Sequence, residues 1–161
     1  MYALVVAALL LGAGDGGVAG GMELVVEAGG RVRVLVEDLS ATAKENGADE
    51  GAMRTQIEAA LRRCGLLIAE GPDPGVSLFY SSLGALPSGG GHAAALRSQV
   101  TRIERVRGRP VVVHAWSLDS IFTGPPGSLG RQVRGGLEAH LDDFCNEYLK
   151  NKQAMNKARK K

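Results

Sequence analysis

The sequence predicts an α+β fold, a two-layer sandwich in which two helices cover one face of a mixed, mostly antiparallel sheet of about five strands. Segments rich in β-branched residues alternate with turn signals, and two longer segments carry apolar residues at helical spacing. The resulting order is β-α-β-β-β-β-α. A length of 161 residues with 45% hydrophobic content suits one globular domain.

The first half of the domain is predicted to hold a strand, a helix and a short second strand. Residues 32–37 alternate apolar and polar side chains, as a half-buried strand does. A helix is predicted over residues 50–64, and Gly65 is expected to end it before the short strand at 66–69. The apolar stripe of this helix recurs at steps of three and four: Met53, Ile57, Ala60, Leu61 and Cys64.

Three more strands and a long helix are predicted for the second half. The crossover from the first strand to the strand at 66–69 is expected to be parallel, and the strands that follow are expected to continue from it as an antiparallel meander. The glycine-rich segment 84–95 is expected to be a loop. Ser128 is a candidate N-cap of the helix, which is predicted to end near Lys150. The predicted strands are 76–83, 98–106 and 111–118.

The two ends of the chain differ from the domain between them. Residues 2–14 are apolar but fall short of the roughly 20 residues that span a bilayer, and they match the hydrophobic region of a secretory signal cleaved after Ala19. A retained anchor and a core strand are the alternatives. We expect a signal peptide or disordered segment at 1–21, one domain at 22–150 and a basic tail at 151–161.

Basic charge is concentrated at the carboxyl end. The last twelve residues hold six of the 19 lysines and arginines, so the remaining 13 face 17 acidic residues. Such a tail can bind nucleic acid or an anionic surface, whereas a solvated helix end is the plainer alternative. Nucleic acid is not the expected partner, because its readers usually interleave aromatic residues with the charges and only 4% of this chain is aromatic.

The two cysteines, Cys64 and Cys145, are expected to be buried free thiols. An antiparallel meander makes the two predicted helices antiparallel, which puts Cys64 at the far end of the first helix. Cys145 then lies about 25 Å along the second helix, at the other end of the sheet. A disulfide requires Cα atoms within about 7 Å of each other.

No combination of residues predicts a catalytic, metal or cofactor site. The histidines are His92, His114 and His140, and the chain lacks the close Cys or His pairs of zinc sites and the G-x-S-x-G motif of hydrolases. We therefore predict no cofactor, and we favour a non-enzyme without excluding an enzyme. Ser128 and Arg131 form a candidate anion site at a helix start, with an ordinary capped loop as the alternative.

The sheet face away from the helices is expected to be open to a partner. In the last strand, the small side chains suit helix packing, so the set that includes His114 and Trp116 is expected on the open face. A shift of one residue would exchange the faces, so the pattern alone does not assign them. The candidate interaction surface consists of Arg102, Glu104, His114, Trp116 and Tyr80.

Three segments resemble those of small exported bacterial proteins: residues 60–66, His114-Ala115-Trp116-Ser117 and residues 141–149. At the level of fold, residues 32–150 are similar to the amino-terminal domain of the Tol–Pal periplasmic translocation protein. The resemblance implies a periplasmic or secreted location, and it implies that Trp116 and Phe144 are core or docking residues. Fold similarity leaves the function open.

The function expected from these observations is that of a non-catalytic protein-binding or assembly domain in the cell envelope. It would use the open sheet face or an edge strand to bind a protein partner. One alternative is a small-ligand binder or hydrolase with a pocket under loops 84–95 and 119–130, using His114, His140 and Ser128. Another is a nucleic-acid or anionic-surface binder that acts through the basic tail. The sequence does not predict the oligomeric state.

Overall fold

The computed structural model describes residues 21–27, 29–71 and 76–160. Apart from Gly21, the predicted signal segment 1–21 lies outside these residues. The described helices are α1 (Gly21–Glu27), α2 (Ala41–Glu45), α3 (Glu50–Arg63) and α4 (Leu129–Ala158). The described strands are β1 (Arg31–Val36), β2 (Leu67–Ile68), β3 (Ser77–Ser88), β4 (Gly91–Val106) and β5 (Arg109–Gly124).

The described strands form one mixed sheet in the order β2-β1-β3-β4-β5. Strand β1 pairs in parallel with both of its neighbours, and β3, β4 and β5 pair antiparallel. Helices α3 and α4 contact each other and pack on the same side of the sheet. The structure therefore confirms the predicted two-layer α+β sandwich.

The core lies between the sheet and α3 and α4. Strand β1 alternates exposed and buried residues along its length, as the sequence pattern predicted. An aromatic cluster fixes α4 on the sheet, since the ring centroid of Phe144 lies 5.6 Å from that of Phe79 and 5.3 Å from that of Trp116. The buried stripe of α4 is Leu129, Val133, Leu137, His140, Leu141, Phe144 and Tyr148.

The predicted loop at 84–95 is wrong, because these residues form a long β-hairpin. Strands β3 and β4 stay paired up to Ser88 and Gly91, and the turn uses Gly89 and Gly90 at positive φ. The small side chains of this segment suit strands that lie directly beneath a helix, and Leu83, Ala85, Ala94 and Leu96 are all buried there. Strand β5 likewise continues to Gly124. Most of the two segments that were expected to be loops over a pocket, 84–95 and 119–130, therefore belong to strands or to α4.

The prediction of two free cysteines is also wrong, because Cys64 and Cys145 form a disulfide with their Cα atoms 5.8 Å apart. The meander was assumed to begin at β2, but β3 lies on the other side of β1 and runs parallel to it. This reverses every later element relative to the prediction. Helices α3 and α4 therefore run in the same direction, and the two cysteines meet at the same end of the sheet.

Helix α4 is longer than predicted and begins differently. It ends at Ala158 rather than near Lys150, so most of the predicted tail is helical. Ser128 occupies the N-cap position, but its hydroxyl donates to the carbonyl of Pro125 instead of accepting from the helix. None of the described helices is long and apolar enough to cross a membrane.

Reducing the disulfide should destabilise the domain. The bond closes a loop across a sequence separation of 81 residues, and we expect its loss to lower the free energy of unfolding by about 2–4 kcal/mol. Urea denaturation of the wild type with and without a thiol reductant measures the difference. The double variant Cys64→Ala, Cys145→Ala is the control, and the reductant should not change its midpoint. Equal midpoints for the oxidised and reduced wild type would contradict the expectation.

Gly130 should be intolerant of a side chain. A Cβ at this position would lie 2.7 Å from the carbonyl carbon of Gly47, where the first turn of α4 meets the end of α2. We expect Gly130→Ala to cost about 1–3 kcal/mol of unfolding free energy, because backbone would have to move. Gly135→Ala, in the same helix with nothing within 4 Å of the new Cβ, should instead stabilise by about 0.5–1 kcal/mol. Thermal denaturation measures the melting temperatures of both variants, which should change in opposite directions. Equal changes in melting temperature would contradict this expectation.

Candidate interaction surface

A β-bulge divides the predicted surface residues between the two sheet faces. Val100 is opposite Trp116, whereas Thr101 is opposite His114, so Ala115 is an extra residue in β5. The bulge puts the Trp116 side chain on the side of α4 and the His114 side chain on the other face. No helix among the described residues covers that other face, which we call the uncovered face. The expectation that the two side chains point the same way is therefore wrong. The sequence of β5 alternates equally well with and without the extra residue, so the bulge cannot be recognised from the pattern.

Trp116 is a packing residue in the structure. Its ring contacts those of Phe79 and Phe144, and its indole Nε1 donates to Oδ2 of Asp143 on α4 over 2.9 Å. Arg102 and Glu104 also lie on the helix side, where they form an ion pair with each other. Of the five predicted residues, only Tyr80 and His114 are on the uncovered face.

Two polar pairs occupy the middle of the uncovered face. The Tyr80 hydroxyl donates to Oε2 of Glu37 over 2.7 Å, and burial together with this carboxylate raises the tyrosine pKa. Arg97 makes a bidentate contact with Asp119, with N–O distances of 2.7 and 2.8 Å. The guanidinium lowers the pKa of Asp119, so this pair is charged at neutral pH. The first pair links β3 to the residue after β1, and the second links β4 to β5. Both pairs give this face polar groups at defined positions.

Large apolar side chains are exposed beyond these polar pairs. Ile121 of β5 is 81% exposed and Leu86 of β3 is 72% exposed, both on the uncovered face near the β3–β4 turn. Only small residues of β4 separate them, because Ala93 is paired with Leu86 and Ala95 with Ile121. The alternation of side chains along β5 predicts that Ile121 faces away from the helices. This residue was missed from the sequence because the strand was expected to end at residue 118. A shallow groove of about 340 Å³ runs beside Ile121, lined by Ser82, Gly84, Ala95, Leu96, Arg97, Asp119 and Ser120.

Strand β5 is also an edge of the sheet. It spans 16 residues, and no other strand among the described residues pairs with its outer side. The opposite edge is shorter, because β2 has only two residues. Where β1 extends beyond β2, the guanidinium of Arg54 donates to the backbone carbonyl of Val34 over 3.2 Å and occupies an acceptor that another strand would need. A long edge strand with few charges is a template for pairing with another chain. Asp119 is the one acidic residue in β5, and its carboxylate is held by Arg97.

The histidines and Ser128 of the expected hydrolase site do not come together. His140 is 1% exposed, and its two ring nitrogens lie 3.0 and 2.9 Å from the hydroxyls of Ser98 and Ser120. His114 is on the opposite sheet face, and Ser128 is at the start of α4, bonded to Pro125. The buried His140 network joins α4 to β4 and β5. Its position gives it a structural role.

The remaining candidate residues lie at or beside the start of α4. Ser128 uses its hydroxyl within the loop, and Arg131 is exposed one turn into the helix. His92, which is 1% exposed, bonds through Nε2 to Oε1 of Gln132 over 2.9 Å. Across the described residues, no group of three His, Cys, Asp or Glu side chains is placed to hold a metal ion.

Comparisons with known proteins add little to this description. No protein-family model and no curated protein matches the chain. Among solved structures, the chain is similar to a minor lipoprotein from Acinetobacter baumannii, with 14% identity and a TM-score of 0.31 over 79% of this chain and 92% of that chain. A similarity this low carries no argument about function or location. The similarity to the Tol–Pal domain stays an expectation from the sequence.

His140 should make the stability of the domain depend on pH. Burial lowers its pKa below the ordinary value of 6.5, so the folded state disfavours the protonated ring. The free energy of unfolding should then fall as the pH drops below 6.5, because the unfolded chain binds the proton more readily. Urea denaturation from neutral to mildly acidic pH measures this loss. The dependence should be weaker in His140→Gln and unchanged in the exposed control His114→Gln, and identical profiles for all three proteins would refute the assignment.

Proposed function

We propose that this domain is a non-catalytic protein-binding module that takes an extended segment of a partner protein onto the outer edge of β5. The observation that carries the proposal is the open edge itself, which spans 16 residues and borders a face with exposed apolar side chains. An added strand would satisfy the outward backbone N–H and C=O groups of β5. Side chains of that strand would then continue the surface around Ile121.

The segment of β5 between Ser117 and Thr123 is best suited to this binding. Its backbone is held in place on one side, since every residue from 117 to 124 is paired with β4 and α4 packs on the other sheet face. Ile121 and Leu86 supply apolar contacts on the uncovered face. The Arg97–Asp119 pair, which lies nearer the centre of the sheet, supplies a polar contact at a defined position. A preformed edge costs little to order on binding.

We further propose that the domain acts in the cell envelope, in the periplasm or after secretion. The Cys64–Cys145 disulfide supports this location, because structural disulfides persist in oxidising compartments and are rare in the cytosol. The apolar run of residues 2–14 agrees with export. The partner would accordingly be a protein of the same compartment.

Site-specific photo-crosslinking tests the proposed edge. A photoreactive amino acid at Ile121 should give a discrete adduct in cells or envelope extracts, whereas the same group at Ala139, exposed on α4, should not. Leu86→Lys should reduce the Ile121 adduct about tenfold, because it places a charge within the proposed contact surface. Ala139→Lys is the matched control and should leave the adduct unchanged. Equally abundant adducts at Ile121 and Ala139, or no effect of Leu86→Lys, would contradict the proposal.

A further inference from the structure

Two basic segments that are far apart in sequence project from the same end of the molecule. Along α4, Gln132 bonds to His92, His140 to Ser98 and Asp143 to Trp116, so α4 runs in the direction of β4. Beyond Phe144, α4 continues to Ala158, on the order of 20 Å at the usual helical rise. Beyond Val100, β4 continues for a similar distance to its turn with β5.

These two projections carry a concentrated positive charge. The β4–β5 turn contributes three arginines and the end of α4 contributes two lysines and an arginine, and all six side chains are exposed. We call this set the basic pole: Arg105, Arg107, Arg109, Lys157, Arg159 and Lys160. Charges that are far apart in the sequence thus lie at the same end of the molecule, because α4 and the hairpin both extend in that direction.

The acidic residues near the basic pole do not neutralise it. Glu104 is paired with Arg102, and Glu147 lies 3.9 Å from Lys150, so each is balanced by a cation outside the set. The sequence of helix α1, which packs on both α4 and β5, contains two glutamates, Glu23 and Glu27, against the six basic residues of the pole. The pole therefore keeps a net charge of several units, which attracts an anionic partner.

Exposed apolar side chains adjoin the same charges. Ile103 and Val112 lie opposite each other on the β4–β5 projection, and each is 57% exposed. Val111 is 42% exposed on the neighbouring position of β5. Apolar side chains flanked by lysine and arginine are the composition that binds at the headgroup boundary of an anionic membrane.

We propose that the basic pole docks the domain onto an anionic phospholipid surface, with the β4–β5 turn and the end of α4 facing the headgroups. A membrane is favoured over nucleic acid because residues 102–112 and 149–160 contain no aromatic side chain on which bases could stack. The chain also enters the domain at this end, since α1 packs on α4 and β5 and follows the apolar residues 2–14 in sequence. This orientation leaves Ile121 and Leu86, at the other end of the sheet, accessible to a protein partner.

Vesicle sedimentation with the full chain tests this docking. The measured quantity is the ratio of affinities for vesicles of equal parts phosphatidylglycerol and phosphatidylcholine over vesicles of phosphatidylcholine alone. We expect the wild type to prefer the anionic vesicles and to lose that preference as salt is raised. Replacing Arg105, Arg107 and Arg109 with Gln should lower the ratio roughly a hundredfold, at about fivefold for each basic residue near an anionic surface.

A matched triple variant controls for net charge. Lys44→Gln, Arg131→Gln, Arg134→Gln removes the same charge from exposed positions far from the pole and should leave the ratio within about twofold of the wild type. Lys157→Gln, Lys160→Gln should lower the ratio in a variant whose sheet is unaltered. A wild-type ratio near one, or equal losses in the two triple variants, would overturn the proposal. Tighter binding to duplex DNA than to anionic vesicles at the same phosphate concentration would overturn it as well.

Discussion

The parallel pairing of β1 with both β2 and β3 sets the direction of every element that follows. Because β3 runs parallel to β1 rather than antiparallel to β2, β4 runs opposite to β1 and β5 runs with it. Helix α4, which follows β5, then returns along the sheet in the same direction as α3. The cysteines of the two helices therefore meet and can form the disulfide. The same direction carries the basic end of α4 toward the β4–β5 turn. One choice of strand neighbour thus decides both the covalent link and the distribution of charge.

Helix α4 also determines which surfaces are available. It covers one face of β3, β4 and β5 through its apolar stripe, the aromatic cluster and the bonds of His140 and Trp116. The sheet therefore has one face that no described helix covers and one long edge, β5, with whose outer side no described strand pairs. The surface around Ile121 and the basic pole lie at opposite ends of this framework. Two partners of different chemistry, a protein strand and an anionic surface, could be bound together without competing for space.

The sequence allowed the architecture to be predicted, together with much of the buried surface. The helix over residues 50–64, the strand over 32–37 and the apolar stripe of α4 follow from spacing that is readable without any tertiary contact. The loop expected at 84–95 was wrong because glycine and alanine lower strand propensity, whereas here Ala85 and Ala94 are buried in paired strands under the helix layer. The site was less predictable, since the bulge at Ala115 separates His114 from Trp116 and the long β5 exposes Ile121.

By itself, the sequence determined the helix at 50–63, the strand at 31–36 and the apolar stripe of α4, because these depend on residue spacing within a segment. It also determined that basic charge gathers near residues 105–109 and 157–161. Only the tertiary structure decided that β3 lies beside β1, that Cys64 reaches Cys145 and that the two basic segments lie at the same end of the molecule. These outcomes depend on strand order and register, which are set by contacts between segments far apart in the chain and leave no periodic pattern in either segment.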